Sequence, residues 1–70
     1  MTNAKILKLL ARACPGTRWV RQTKFDTPDD LCFAGIRGKS GIRFHVKSTE
    51  PIDLMQAKAR LIEKRLIQNF

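Results

Sequence analysis

The sequence predicts an α+β domain in the order helix, three strands, helix, and three observations carry that expectation. Apolar residues recur at helical spacing over residues 3–14 and again after Pro51, whereas residues 42–47 alternate strictly between apolar and basic. Two runs of turn residues, Asp26-Thr27-Pro28-Asp29-Asp30 and Gly38-Lys39-Ser40-Gly41, divide the middle of the chain into three extended segments. A period near 3.6 marks an amphipathic helix and a period of 2 a half-buried strand. Two helices packed on one face of a three-stranded antiparallel sheet give an αβββα sandwich.

The first helix is expected over residues 3–14. Thr2 or Asn3 can cap it, because a short oxygen-bearing side chain accepts from an otherwise unpaired amide. Ile6, Leu7, Leu9, Leu10, Ala11, Ala13 and Cys14 fall on a broad arc, and Lys5, Lys8 and Arg12 on a narrow basic stripe. Pro15-Gly16 ends the helix, since proline breaks the hydrogen-bond ladder and glycine permits the exit. A first strand is read over residues 17–25, with Val20 on one face and Trp19, Arg21, Thr23 and Phe25 on the other. Trp19 is expected to pack under the first helix; the alternative is a partly exposed anchor for a partner.

The second strand covers residues 31–37, where Gly35 marks a bulge or a close backbone approach. The third, residues 42–48, places Ile42, Phe44 and Val46 toward the helices and Arg43, His45 and Lys47 on the opposite face. Pro51 suits the first position of the second helix, with Asp53 and Gln56 as an alternative capping pair. That helix is expected to run to about Gln68. Met55, Ala59, Ile62, Leu66 and Phe70 form its core stripe. Leu54, Ala57 and Leu61 form a second stripe, read as further core, with a dimer or partner face as the alternative.

Residues 1–70 are read as a single small basic domain with a net charge of +8 and 43% hydrophobic residues, enough for one modest core. No apolar run approaches the ~20 residues of a membrane span. Met1-Thr2-Asn3-Ala4-Lys5 lacks the pattern of a secretory leader, so a cytoplasmic setting is expected. Cys14 and Cys32 are expected to be reduced and mostly buried, with a disulfide between them as the alternative. One histidine and two cysteines make no metal set, and no cofactor is expected. Paired carboxylates, a nucleophile triad and a phosphate-cradling loop are all missing from the sequence, which therefore reads as non-enzymatic.

Charge is segregated along the chain. Lys5, Lys8, Arg12, Arg18, Arg21 and Lys24 all precede the first acid, Asp26, and Arg37, Lys39, Arg43 and Lys47 lie in a second acid-free stretch. Solubilising surfaces usually interleave the two signs. Arg37, Lys39, Arg43, His45 and Lys47 are therefore the primary candidates for contact with nucleic acid or another partner. Lys5, Lys8 and Arg12 form a secondary basic stripe. Leu54, Ala57 and Leu61 are the candidate dimer or partner face.

By element order the chain resembles the double-stranded RNA-binding domain. In that family a lysine-rich motif opens the last helix; here Pro51 to Lys58 keeps the Ala57-Lys58 pair and has Asp53 where a base is expected. From Arg18 to Arg65 the order also resembles the three-strand-plus-helix arm-binding domain of phage integrases, whose basic sheet face Arg43, His45 and Lys47 would match. Both resemblances imply binding of nucleic acid, DNA or RNA. With the basic sheet face and hairpin, and a size and basicity common among phage and mobile-element products, the chain reads as a small regulator or recombination accessory of that type. The alternative is a small interaction module or inhibitor that docks on an acidic surface of a larger host protein.

Overall fold

A computed structural model describes residues 2–68. It has the expected order: α1 (Asn3–Ala13), β1 (Arg18–Arg21), a 3-10 turn (Thr23–Phe25), β2 (Leu31–Arg37), β3 (Ser40–Val46) and α2 (Ile52–Gln68). The strands form an antiparallel meander in the order β1-β2-β3. Among the described residues, no helix is long and apolar enough to cross a membrane.

Thr2 caps α1, its hydroxyl accepting from the Lys5 amide at 3.2 Å. At the other end, the Cys14 amide donates to the Leu10 carbonyl before Pro15 ends the ladder. Ile6 and Leu10 are fully buried, and Cys14 closes the same apolar side. From α2, Met55, Ala59, Ile62 and Leu66 are buried as expected; Phe70, assigned to that stripe, lies outside the described residues. Pro51 sits one position ahead of the helix, and its carbonyl accepts from the Met55 amide at 3.1 Å. Asp53 is thus inside the first turn and does not cap it, though an acid there favours the positive end of the helix dipole.

Both helices cover one side of the sheet. Ile6, Leu10, Cys14, Met55 and Ala59 share a core with Phe33 and Val46, and Trp19, Leu31 and Phe44 pack against its margin. The Trp19 indole N–H donates to the Cys14 carbonyl at 3.1 Å, and its ring meets Phe44 edge-on with 5.8 Å between centroids. Trp19 is therefore a core-edge residue under α1. Buried Cys32 alternates with Phe33 on β2 and faces away from that core, so the sheet separates it from Cys14; both thiols are free.

Gly35 resolves to a close approach. The β2–β3 register runs unbroken from Leu31↔Val46 to Arg37↔Ser40, so β2 has no bulge there. A Cβ at Gly35 would lie 2.9 Å from Trp19 Cζ3 and 3.0 Å from Ile62 Cγ2. Only a hydrogen in place of a side chain lets Trp19 and α2 close over the strand.

Two boundaries and one buried face depart from expectation. β1 ends at Arg21, and the chain turns through Thr23–Phe25 instead of continuing as a strand. Asp26 explains the early end: its carboxylate takes both Arg21 Nη1 and Nη2, at 2.6 and 2.7 Å, and the Cys32 amide at 2.7 Å. With Gln22 N–H donating to the Cys32 carbonyl, this network folds the connection back onto the start of β2. Thr23 and Phe25 consequently do not share a face with Trp19.

The hairpin loop is shorter than expected. Arg37 pairs with Ser40, leaving Gly38-Lys39 as a two-residue turn with Gly38 at φ 60°. Glycine at the first central position suits a turn whose twist matches the flanking strands. β3 therefore starts at Ser40 and ends at Val46, and Lys47 and Ser48 belong to the turn toward α2.

The Leu54 stripe is the third correction. Leu54 is 47% exposed and Leu61 56%, and Ala57 is exposed between them. A three-stranded sheet shared by two helices accommodates one stripe of α2, and Met55, Ala59, Ile62 and Leu66 already occupy that contact.

Candidate functional site

Alternation along the strands lays out the sheet side opposite the helices. In one cross-strand row Arg18, Ile36 and Gly41 lie side by side; in the next, Val20, Ala34 and Arg43. Cys32 and His45 pair in the row after that. None of these residues is acidic. The middle of the face is apolar, with Ala34 and Cys32 buried and Val20 and Ile36 half-buried. Basic residues stand on either side, Arg18 on β1 and Arg43 and His45 on β3.

The 3-10 turn packs against β2, and its Phe25 joins this side. Phe25 is 38% exposed, and the Arg43 guanidinium carbon sits 3.9 Å from its ring centroid. Lys24 Nζ lies 5.5 Å from the same centroid. A cation over an aromatic face is attracted by the ring quadrupole, by about 0.5–1 kcal/mol at exposed sites. His45 Nε2 lies 3.1 Å from the Phe25 carbonyl, an acceptor, so the imidazole donates through Nε2. Arg43 and His45 together hold Phe25 in place, and Phe25 in turn orders Arg43.

The basic residues singled out in the sequence are spread over several surfaces. Arg43 and His45 share the open side as expected. Lys47 lies just beyond β3, exposed, in the turn whose Glu50 amide donates to the Lys47 carbonyl. Lys39 is exposed at the hairpin tip. Arg37 belongs to the helix side, because it shares a face with Gly35 and Phe33, and its Nη1 donates to the Gly16 carbonyl at 3.3 Å. Lys5, Lys8 and Arg12 are exposed on α1, across the sheet from Arg43. The basic stripe of α1 and the basic sheet face are therefore separate surfaces.

Sequence reasoning passed over Arg18, Lys24 and Phe25. Arg18 was legible, since it stands two residues before Val20 and shares its face. Lys24 and Phe25 were not, because their position depends on a turn made by Asp26 and Arg21 across the strand end.

Two polar clusters brace the helices and leave the open face alone. Lys58 on α2 donates to the His45 carbonyl at 3.0 Å and to Glu50 Oε1 at 2.8 Å. The buried Thr17 hydroxyl donates to Glu63 Oε2 at 2.9 Å. Burial, reinforced by the Glu63 carboxylate, pushes the Cys14 thiol above its ordinary range, so the unreactive thiol form is favoured. Asp26 is displaced the other way: the Arg21 hydrogen bonds, then the Cys32 amide, pull its carboxyl down to about 2. It is thus a charged structural staple at neutral pH, already engaged by Arg21 and the Cys32 amide.

No family model, curated protein or solved structure matches this chain.

Proposed function

We propose that this protein is a non-enzymatic module that binds nucleic acid through the open side of its sheet. The observation that carries the reading is a sheet side that neither helix covers and whose strand residues include no acid, with Arg18, Arg43 and His45 standing on it. Lys24, Lys39 and Lys47 extend the positive charge around its rim. Guanidinium groups engage phosphate oxygens through two parallel hydrogen bonds, and each neutralised phosphate releases condensed counterions. A chain with a net charge of +8 and segregated signs is suited to that contact. The role this supports is that of a small regulator or recombination accessory, which acts by occupying its target.

A salt series with mixed-sequence DNA and RNA tests the reading. Affinity should fall steeply as salt rises, and Arg18→Ala and Lys47→Ala should each flatten the slope by about one unit. Lys64→Ala, on the solvent side of α2, is the comparison and should change the slope less. Arg43→Ala is a poorer probe, since it also removes the stack on Phe25. Absence of binding to either nucleic acid at low salt would overturn the proposal.

Exposed Leu54 and Leu61 favour a second reading, in which α2 docks on an acidic partner, with exposed Arg65 beside the apolar contact. Leu61→Lys would abolish capture of such a partner and leave nucleic-acid binding intact. Loss of nucleic-acid binding instead would count against that reading.

A further inference from the structure

Resting on the nucleic-acid reading, we propose that the open sheet face is built for single-stranded nucleic acid, with an unstacked base seated over Gly41 and Ile36 between Arg18 and Arg43. The two glycines of the sheet are the key contrast. Gly35 is required by packing, since a Cβ there would collide with Trp19 and Ile62. Gly41 is under no such demand. It is exposed, its φ is not in the left-handed region, and a Cβ built on it would meet nothing nearer than 3.7 Å, at Ile36 Cγ1 and the Gly35 carbonyl. Neither backbone conformation nor crowding calls for glycine there. What it provides is a bare patch of strand beside the half-buried Ile36.

The surroundings of that patch suit a base and its phosphates. Ile36 lies directly between Arg18 and Gly41 across the strands. Arg43 stands two residues beyond Gly41, about 7 Å along β3. Its guanidinium is already ordered on the Phe25 ring, so less side-chain entropy is lost when a ligand stacks or bonds there. Half-buried Val20 continues the apolar strip across the sheet, beside the already buried Ala34.

A duplex keeps its bases stacked and offers this surface its phosphates and base edges, so the half-buried Val20 and Ile36 gain no base face. A single strand offers the face of each base to that strip while its phosphates reach Arg18, Lys24 and Arg43.

The test compares a mixed-sequence single-stranded oligonucleotide, as DNA and as RNA, with the same sequence in duplex form. The wild type should bind the single strand more tightly. Gly41→Val fills the seat without altering charge and suits a strand, so it should weaken single-strand binding by roughly tenfold and narrow the preference over duplex correspondingly. Gly41→Ser, smaller and polar, should give a partial loss, and it carries the test if the valine variant does not fold. Tighter binding of duplex than of single strand, or equal loss for both ligands in the Gly41 variants, would overturn the inference while leaving nucleic-acid binding in place. Absence of any binding at low salt would remove both.

Discussion

The two sides of the sheet are drawn from alternate residues of the same three strands, yet they are held by different forces. On the helix side, Phe33 and Val46 are fully buried against Ile6, Leu10, Met55 and Ala59, with Trp19 and Phe44 edge-on at the margin. That contact is close-packed and mostly apolar, so the stability of so small a domain is concentrated there. On the open side no helix covers the strands, and the 3-10 turn is attached by a cation over a ring and an imidazole on a carbonyl. Such contacts contribute little to stability but set where charges stand. One side accounts for most of the packing, and the other sets the positions of Arg18, Arg43 and His45.

Substitutions should therefore separate the two sides, beginning with the deepest. Phe33→Ala is expected to cost about 3–5 kcal/mol, as truncation of buried aromatics does, and a domain of this size has little more to lose. Chemical denaturation of the variant should show no folded baseline. Phe44→Ala, at a half-buried margin, should cost about half as much. A Phe33 variant that melted with the wild type would break the division between the faces at its strongest point.

Next comes Gly35→Ala. The added methyl has Trp19 Cζ3 at 2.9 Å and Ile62 Cγ2 at 3.0 Å, both on packed side chains. A loss of about 1–3 kcal/mol should appear in thermal melts. The same substitution at Gly41 should be close to neutral in the same melts, so the two glycines report on the two sides of one strand pair.

A smaller effect is expected from acid. Asp26 has a folded-state value of about 2 against an ordinary 3.8, so its carboxylate stabilises the fold at pH values above its unfolded range. That contribution should be complete above about pH 4 and drain away as pH falls toward 2. Denaturation midpoints should drop over this window in the wild type and drop less in Asp26→Asn. Equal acid sensitivity in both proteins would mean that Asp26 does not staple β1 to β2.

The smallest change in stability should come from the open-side cations. Arg18→Ala and Lys47→Ala should shift unfolding by no more than about 0.5 kcal/mol, as exposed substitutions usually do. Their effect should appear instead in the salt dependence of binding. A large stability loss at Arg18 would show that the open face also carries the fold.

Much of this arrangement was legible in the chain. The period-2 run from Ile42 to Val46 and the period-3.6 stripe from Met55 to Leu66 each identify an element and its buried face, because regular backbone geometry converts spacing directly into direction. Thr2 as the cap and Pro15-Gly16 as the stop are local chemistry and were readable for the same reason. The open-face placement of Arg43 and His45 follows from alternation alone.

What the chain alone left undecided is decided where distant residues meet. Nothing local to Thr23-Lys24-Phe25 ends a strand; the end is made by Asp26 reaching Arg21 and the Cys32 amide, partners brought together only when β1 and β2 pair. Whether Leu54 and Leu61 were core depended on how much sheet remained once both helices were in place. Arg37 and Arg43 are equivalent as basic strand residues, but the register puts one against the Gly16 carbonyl and the other over Phe25. Periodicity specifies the faces of each element, while pairing and packing select what meets each face, because those energies exist only between segments that the sequence holds far apart.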